Sequence, residues 1–320
     1  MGGSASSDKF GKIFVKTEKN VYFPGETVSG WIFLNIVQVY PGSTLEIKIK
    51  GKEVLEIFKK AEEQTQGGVV SSKTKKNLVV ETEKHENIFY HHKMPIYAFD
   101  TKKKGIQPGQ YMFPFSFLLQ SYLPGSFEYK DEDVRARIYY KIKAHIIPDL
   151  KPKEPHMKFT QKVMLREKHK SNITKTVFTG IYKTLWCLSS GRTNVSFEFD
   201  KDHYTPNDRF TMNIEVDNST SSIPIQQFLL FIIAKFTFTT KDGRSMTKER
   251  NMAKRVFPGV PAGGRLMDDK KIFVELLMKD EKDVYFPASV HANLIQCDYF
   301  VELSYIYPQR SEERRVGKEC

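Results

Sequence analysis

Apolar and polar residues alternate with a period of two along most of this chain. Leu45, Ile47 and Ile49 alternate with Glu46, Lys48 and Lys50. Tyr111, Phe113, Phe115 and Phe117 share one face. Val134, Ala136, Ile138, Tyr140, Ile142, Ala144 and Ile146 alternate with Arg135, Arg137, Tyr139, Lys141 and Lys143. In the second half, Phe210, Met212, Ile214 and Val216 alternate with Thr211, Asn213, Glu215 and Asp217. Successive side chains of a strand point to opposite faces, so this period predicts half-buried strands in antiparallel sheets. Pro24-Gly25, Pro108-Gly109, Pro124-Gly125 and Asp242-Gly243 separate the runs as turns. No amphipathic helical period stands out. Many strands with turns between them predict an all-β chain of packed sheets.

An internal repeat divides the chain. Asn20-Val21-Tyr22-Phe23-Pro24-Gly25-Glu26 precedes a strand over 28–37, and Asp202-His203-Tyr204-Thr205-Pro206-Asn207-Asp208 precedes one over 210–217. Each is a Tyr-x-Pro turn leading into an alternating run. Pro24 and Pro206 preset φ, while Gly25 and Asn207 tolerate positive φ. The long separation fits two similar sandwiches in tandem, not a solenoid. The reading is a flexible start over 1–9, a first domain over 10–166, a linker over 167–191 and a second domain over 192–309. Residues 59–76 read as a long mobile loop and residues 102–104 as a basic tip.

Length and composition agree with two globular domains. The chain has 320 residues, 40% apolar and 13% aromatic. Its longest unbroken apolar run, 228–234, falls far short of the roughly 20 residues that a membrane helix needs. No apolar stretch follows the start, so no secretory signal is expected. Three cysteines, at 187, 297 and 320, are too few for a disulfide framework and lack zinc-ligand spacing. The expected compartment is reducing, the cytosol, and the sequons at Asn172, Asn194 and Asn218 read as chance. A net charge of +12 favours phosphate-bearing partners. Residues 310–320, Arg-Ser-Glu-Glu-Arg-Arg-Val-Gly-Lys-Glu-Cys, match one reading frame of a common sequencing adapter beginning AGATCGGAAGAGC. They are expected to stand outside the natural sequence, with the natural C-terminus missing.

Several blocks resemble the arrestin superfamily, specifically arrestin-domain-containing proteins of the α-arrestin kind. Val21-Tyr22-Phe23-Pro24-Gly25-Glu26-Thr27-Val28-Ser29-Gly30 resembles that family's first-strand signature. Leu45-Glu46-Ile47-Lys48-Ile49-Lys50-Gly51-Lys52-Glu53 resembles its next strand. Gly109-Gln110-Tyr111-Met112-Phe113-Pro114-Phe115-Ser116-Phe117 and Leu123-Pro124-Gly125-Ser126-Phe127-Glu128 resemble the blocks that follow. Trp186-Cys187, Tyr204-Thr205-Pro206, Val216-Asp217-Asn218-Ser219 and Leu294-Ile295-Gln296-Cys297 resemble parts of the second domain. Each block is weak alone; their order and spacing are specific, over about 10–307.

The resemblance implies two tandem immunoglobulin-like β-sandwiches, the second incomplete here because the family continues with more strand sequence. It also implies a non-enzymatic adaptor in membrane-protein trafficking and signalling, binding cytoplasmic tails of cargo. Members of the α-arrestin kind recruit HECT-type ubiquitin ligases through Pro-Pro-x-Tyr motifs in a C-terminal tail; none occurs before Gln309. Arg166 resembles the arginine of the phosphate-sensing polar core, with Asp268 and Asp269 as loose acidic partners. Two alternatives stand beside the adaptor: a structural coat subunit similar to the arrestin-fold subunit of retromer, and a myristoylated lipid-binding module.

Individual residues add candidates. Gly2, with Ser6, fits the N-myristoylation pattern. One acyl chain binds membrane only marginally, so the lysines would supply the second signal at an anionic surface. Lys73, Lys75, Lys76, Lys102, Lys103 and Lys104 are the candidates for anionic lipid or phosphopeptide. The expected location is cytoplasmic, peripheral to the plasma membrane or endosomes. His91-His92 lacks a third metal ligand at recognisable spacing, 259–264 lacks a phosphate loop's Lys, and no nucleophile elbow occurs. No catalytic residue, metal or cofactor is expected, nor nucleic-acid binding. Cys187 and Cys297 read as small core residues.

Overall fold

A computed structural model describes residues 4–6, 9–61, 79–100, 105–148, 157–167, 176–184, 188–201, 203–205, 208–279, 284–307 and 310–319. The chain forms two compact units. The first holds residues 1–168 with segments 238–246 and 288–296; the second holds 169–237, 247–287 and 297–320. Among the described residues the regular elements are strands, save one 3-10 turn at Asp268–Lys270.

The first unit opens with β1 (Ser4–Ser6), β2 (Gly11–Thr17), β3 (Val21–Tyr22), β4 (Thr27–Ile36) and β5 (Gly42–Ala61). It continues with β6 (Val79–Ala98), β7 (Gly109–Leu118), β8 (Phe127–Lys130), β9 (Val134–Pro148) and β10 (Lys158–Leu165). One sheet runs β1-β10-β9-β5-β6, with β3 beside β10 and β8 beside β9; the other runs β2-β4-β7. The alternation read from the sequence is the alternation of burial. Leu45, Ile47 and Ile49 of β5 are buried, as are Val134, Ala136, Ile138, Tyr140, Ile142, Ala144 and Ile146 of β9. Ile13, Val15, Val28, Ile32, Leu34, Phe115 and Phe117 complete the core from the smaller sheet. Burying each such side chain contributes roughly 1.5–3 kcal/mol, so the inward pattern fixes the register. Lys59, read as loop, is instead the end of β5: it pairs with Glu81 of β6, because Glu83 offers its ammonium a carboxylate at 2.8 Å.

The remaining strands are β11 (Thr176–Thr184), β12 (Leu188–Phe199), β13 (Arg209–Asp217), β14 (Ile225–Thr239) and β15 (Ser245–Val260). They are followed by β16 (Arg265–Leu266), β17 (Ile272–Leu277), β18 (Val290–His291), β19 (Ile295–Tyr307) and β20 (Arg310–Glu319). One sheet runs β11-β12-β13-β16 with β17 on β13; the other runs β15-β14-β19-β18 with β20 on β19. β11 lies inside the stretch read as linker. β20 occupies the β19 edge, Val316 opposite Leu303. These are the residues read as adapter; an open strand edge accepts backbone from any segment that reaches it. Asn218 is wholly buried and works as a junction. Its Oδ1 accepts the Thr193 hydroxyl at 2.6 Å, and its amide donates to the carbonyls of Ile223 at 3.0 Å and Pro261 at 3.1 Å. The sequon there belongs to the interior.

Candidate functional site

The sequence-predicted turn over Phe23 to Glu26 forms as read. Glu26 N–H donates to Phe23 O at 3.0 Å, and Gly25 between them has φ 81°. Pro at the second position and positive φ at the third define a type II turn. Glu26 also folds its carboxylate back onto Phe23 N–H at 3.0 Å. The same construction recurs at the repeat: Asp208 N–H donates to Thr205 O at 2.9 Å, and Asp208 Oδ2 accepts Thr205 N–H at 2.8 Å. Pro206 itself lies outside the described residues.

Arg166 and the first turn meet at Tyr22. Arg166 N–H donates to Tyr22 O at 2.9 Å, continuing the parallel pairing of β3 with β10. The Leu123-Pro124-Gly125-Ser126 block closes on the same place. Buried Tyr140 donates its hydroxyl to Pro124 O at 2.5 Å, Ser126 Oγ accepts Leu165 N–H at 3.0 Å, and Glu167 accepts Gly125 N–H at 2.8 Å. Asp268 and Asp269 are exposed on the 3-10 turn. Gly2, Lys73, Lys75, Lys76, Lys102, Lys103, Lys104 and Cys187 lie outside the described residues. Cys297 is fully buried, and burial pushes its thiol up to about 12, which leaves it protonated and unreactive.

A group of acidic residues that the sequence did not single out organises the first unit. Glu53 stands in the inward register of β5, between Ile49 and Leu55, with no exposure. Its two oxygens accept Leu294 N–H at 2.9 Å and the Asn87 amide at 2.7 Å. Glu83 meets the other added segment: Lys59 at 2.8 Å, His85 at 2.9 Å and Arg244 all reach its carboxylate. The Lys59 contact first, then Arg244 and His85, hold that carboxyl at about 2. An open cavity of about 450 Å³ lined by Lys59, Glu81, Thr82, Glu83 and Arg244 lies there. Glu83 there is already matched by Lys59 and Arg244, so the cluster is a fastening.

The outer strand of the larger sheet is the candidate docking surface. β6 ends the order β1-β10-β9-β5-β6. Its beginning is covered where Lys241 N–H reaches His85 at 3.5 Å. Farther along, two extra residues interrupt the pairing with β5. Gly51 faces Tyr90 while Lys52 faces Ile88, which leaves Phe89 as a bulge; Leu45 faces Tyr97 while Glu46 faces Pro95, which does the same for Ile96. Between the bulges Tyr90, His91, His92, Lys93 and Met94 pair regularly, and His91, His92 and Lys93 are exposed. An edge of this kind can add a strand from another chain, and flanking bulges limit how far such pairing runs. Among the described residues no group of three or more His, Cys, Asp or Glu is placed to hold a metal.

Comparison with known proteins completes the assignment. Residues 11–184 match the family of the arrestin (or S-antigen) N-terminal domain, and 189–316 match that of the arrestin (or S-antigen) C-terminal domain. The second match runs into β20. Arrestin domain-containing protein A of Dictyostelium discoideum is 26% identical over 225 residues, which cover 69% of this chain but only 37% of that relative. Two domain matches in tandem on two all-β units agree with the order of motifs along the chain, and on these grounds the chain belongs to the arrestin superfamily, as an α-arrestin-like protein.

Proposed function

We propose that this chain is a non-enzymatic adaptor of membrane-protein trafficking that docks extended cytoplasmic tails along the open stretch of β6. Family membership supports the adaptor role. The observation that carries the docking mode is the bulge-bounded edge at residues 90–94. Main-chain hydrogen bonds would give affinity there, and the chain's excess of Lys and Arg would favour acidic tails. The work would be done at the cytoplasmic face of the plasma membrane or endosomes, with the excess of Lys and Arg, and myristoylation of Gly2, holding the protein near anionic lipid. Recruitment of a HECT-type ligase would require Pro-Pro-x-Tyr, which does not occur before Gln309.

An array of synthetic cytoplasmic-tail peptides tests the docking mode. The best binder is resynthesised with N-methyl groups on alternate amides. One set of alternate positions is expected to lose at least tenfold in affinity, because only every second N–H of an added strand faces β6. Equal affinity for both sets, or no binding by any tail, overturns the reading.

A further inference from the structure

The larger sheet of the first unit turns a cationic face outward. Leu45, Ile47 and Ile49 of β5 and Ile142 and Ala144 of β9 point into the core, so Glu46, Lys48, Lys50, Lys141, Lys143 and His145 point out. Lys93, Lys48 and Lys143 lie directly opposite one another across β6, β5 and β9. His91, Lys50, Lys141 and Lys162 form the next outward row, which reaches β10. Glu46, His145 and Lys158 form the row on the other side. These three rows hold seven lysines and one carboxylate. Strands about 4.8 Å apart and rows about 7 Å apart make a patch about 14 Å on each side.

Like charges directly opposite in a sheet destabilise it, and here the chain supplies little relief. Glu46 is buried within the patch and takes Lys48 at 3.0 Å, Lys93 at 2.7 Å and His145 at 3.3 Å. Among the described residues Lys50, Lys143, Lys158 and Lys162 pair with no carboxylate. Burial, then Lys158 and Lys48, lower the Lys143 ammonium, with Glu46 opposing. The far end of the same face is built otherwise: Lys52 and Lys84 pair with Glu86, and Lys84 and Arg137 pair with Glu56. The unmatched charge is thus confined to one end of the face, where an external anion would relieve it.

Three features select the anion. β5 and β9 are each paired on both sides, so they have no backbone N–H or C=O to offer an extended peptide laid over them. The three rows contain lysine and no arginine. Lysine acts as a point charge, whereas the planar fork of arginine grips a phosphate in fixed geometry. The rows also contain no Phe, Tyr or Trp on which a nucleic-acid base could stack. A flat array of point charges fits a flat surface whose own charges move laterally.

We infer that this face of the first unit lies against an anionic lipid bilayer, its lysines meeting headgroup charge without selecting one headgroup. The inference rests on the trafficking reading for its setting and adds the surface that holds the chain to the membrane. His91 and Lys93 belong to β6, so the tail-binding edge would lie beside the bilayer from which tails emerge.

Cosedimentation of the full, unacylated chain with phosphatidylcholine–phosphatidylserine vesicles tests this, in about 0.1 M salt, where charges act over about 10 Å. Each lysine near such a surface contributes roughly fivefold in affinity. Lys50→Gln, Lys141→Gln and Lys162→Gln together are expected to weaken binding at least tenfold, with unchanged melting. Should that variant melt lower, Lys141→Gln with Lys162→Gln supplies the reading, at least fivefold. Lys16→Gln, Lys241→Gln and Lys254→Gln together make the same change in net charge elsewhere and are expected to cost less than threefold. Lys50→Arg, Lys141→Arg and Lys162→Arg together are expected to keep the affinity within threefold. Equal loss in the two glutamine triples, equal binding to phosphatidylcholine alone, or no vesicle binding overturns the inference. So does a phosphorylated tail peptide or an oligonucleotide whose binding the first triple abolishes while vesicle binding stays, which assigns the face to that ligand. The tail-peptide array is read on the same variants, so the tail-docking reading stands or falls on its own periodicity.

Discussion

The two Tyr-x-Pro turns are built on one plan and seated differently. In each, a carboxylate four residues after the tyrosine closes the turn, a lysine three residues before the tyrosine lies over its ring, and that lysine pairs with the closing acid. Lys19 lies 5.9 Å from the Tyr22 ring and 3.6 Å from Glu26; Lys201 lies 5.1 Å from the Tyr204 ring and 2.9 Å from Asp208. Tyr22, however, has no exposure, its oxygen accepting Lys19 N–H at 3.0 Å. Tyr204 is half-buried and donates to the Asp200 carboxylate at 2.6 Å. A strand entrance thus needs the turn, and the tyrosine beneath it can serve either as core or as a surface clip.

Truncating the tyrosines tests this most severely. Tyr22→Ala is expected to cost about 3–5 kcal/mol, as for other large buried aromatics, and Tyr204→Ala about half as much. Urea denaturation of the two variants reads the difference, and equal losses would break the comparison. The first unit also carries a half-buried histidine. Burial, then the charge of Lys48, lowers His145 to about 4, while Glu46 opposes them and Lys143 and Lys93 add to the lowering. The unfolded chain takes up this proton near 6.5 and the folded chain near 4, so stability falls as pH drops between those values. On the order of 2–3 kcal/mol is lost by pH 4, and His145→Gln removes that slope from melting curves.

Two smaller changes sharpen the contrast. Gly25→Ala forces a Cβ into the left-handed region and is expected to cost about 1–2 kcal/mol, while a Cβ there meets nothing closer than 3.8 Å. The loss is therefore conformational, and Gly25→Asn, which tolerates that region, should recover part of it in the same melts. Lys19→Ala and Lys201→Ala should each change stability by under about 1 kcal/mol, because exposed ion pairs contribute little. The Lys201 pair, being shorter, is expected to show the larger salt dependence in a melting series with sodium chloride.

What could be read from the sequence was local. The β9 alternation and the Phe23 to Glu26 turn each depend on neighbours in the chain, and both formed as expected. Glu53 could not be assigned because its partner, the Leu294 amide, is remote. Its one signal was a carboxylate in a register otherwise filled by Leu45, Ile47, Ile49 and Leu55. Asn218 was legible as a sequon and as part of a family-like block, but its bonds to three separate segments were not. The outward row Phe14, Phe33 and Met112 was hidden for the opposite reason. Each residue alternates with less exposed neighbours as a strand should, and only the pairing of β2, β4 and β7 brings them side by side.

The Glu53 bond has a consequence for synthesis. The acceptor and its Leu294 donor are 241 residues apart. At about 5–20 residues per second, a ribosome needs roughly 12–50 s to deliver that donor after Glu53 has been made. For this interval the first sandwich holds a carboxylate facing its interior without its backbone partner. The nascent chain therefore carries its earlier half unfinished until Leu294 emerges, and holding that half in solution for the interval is work suited to a chaperone.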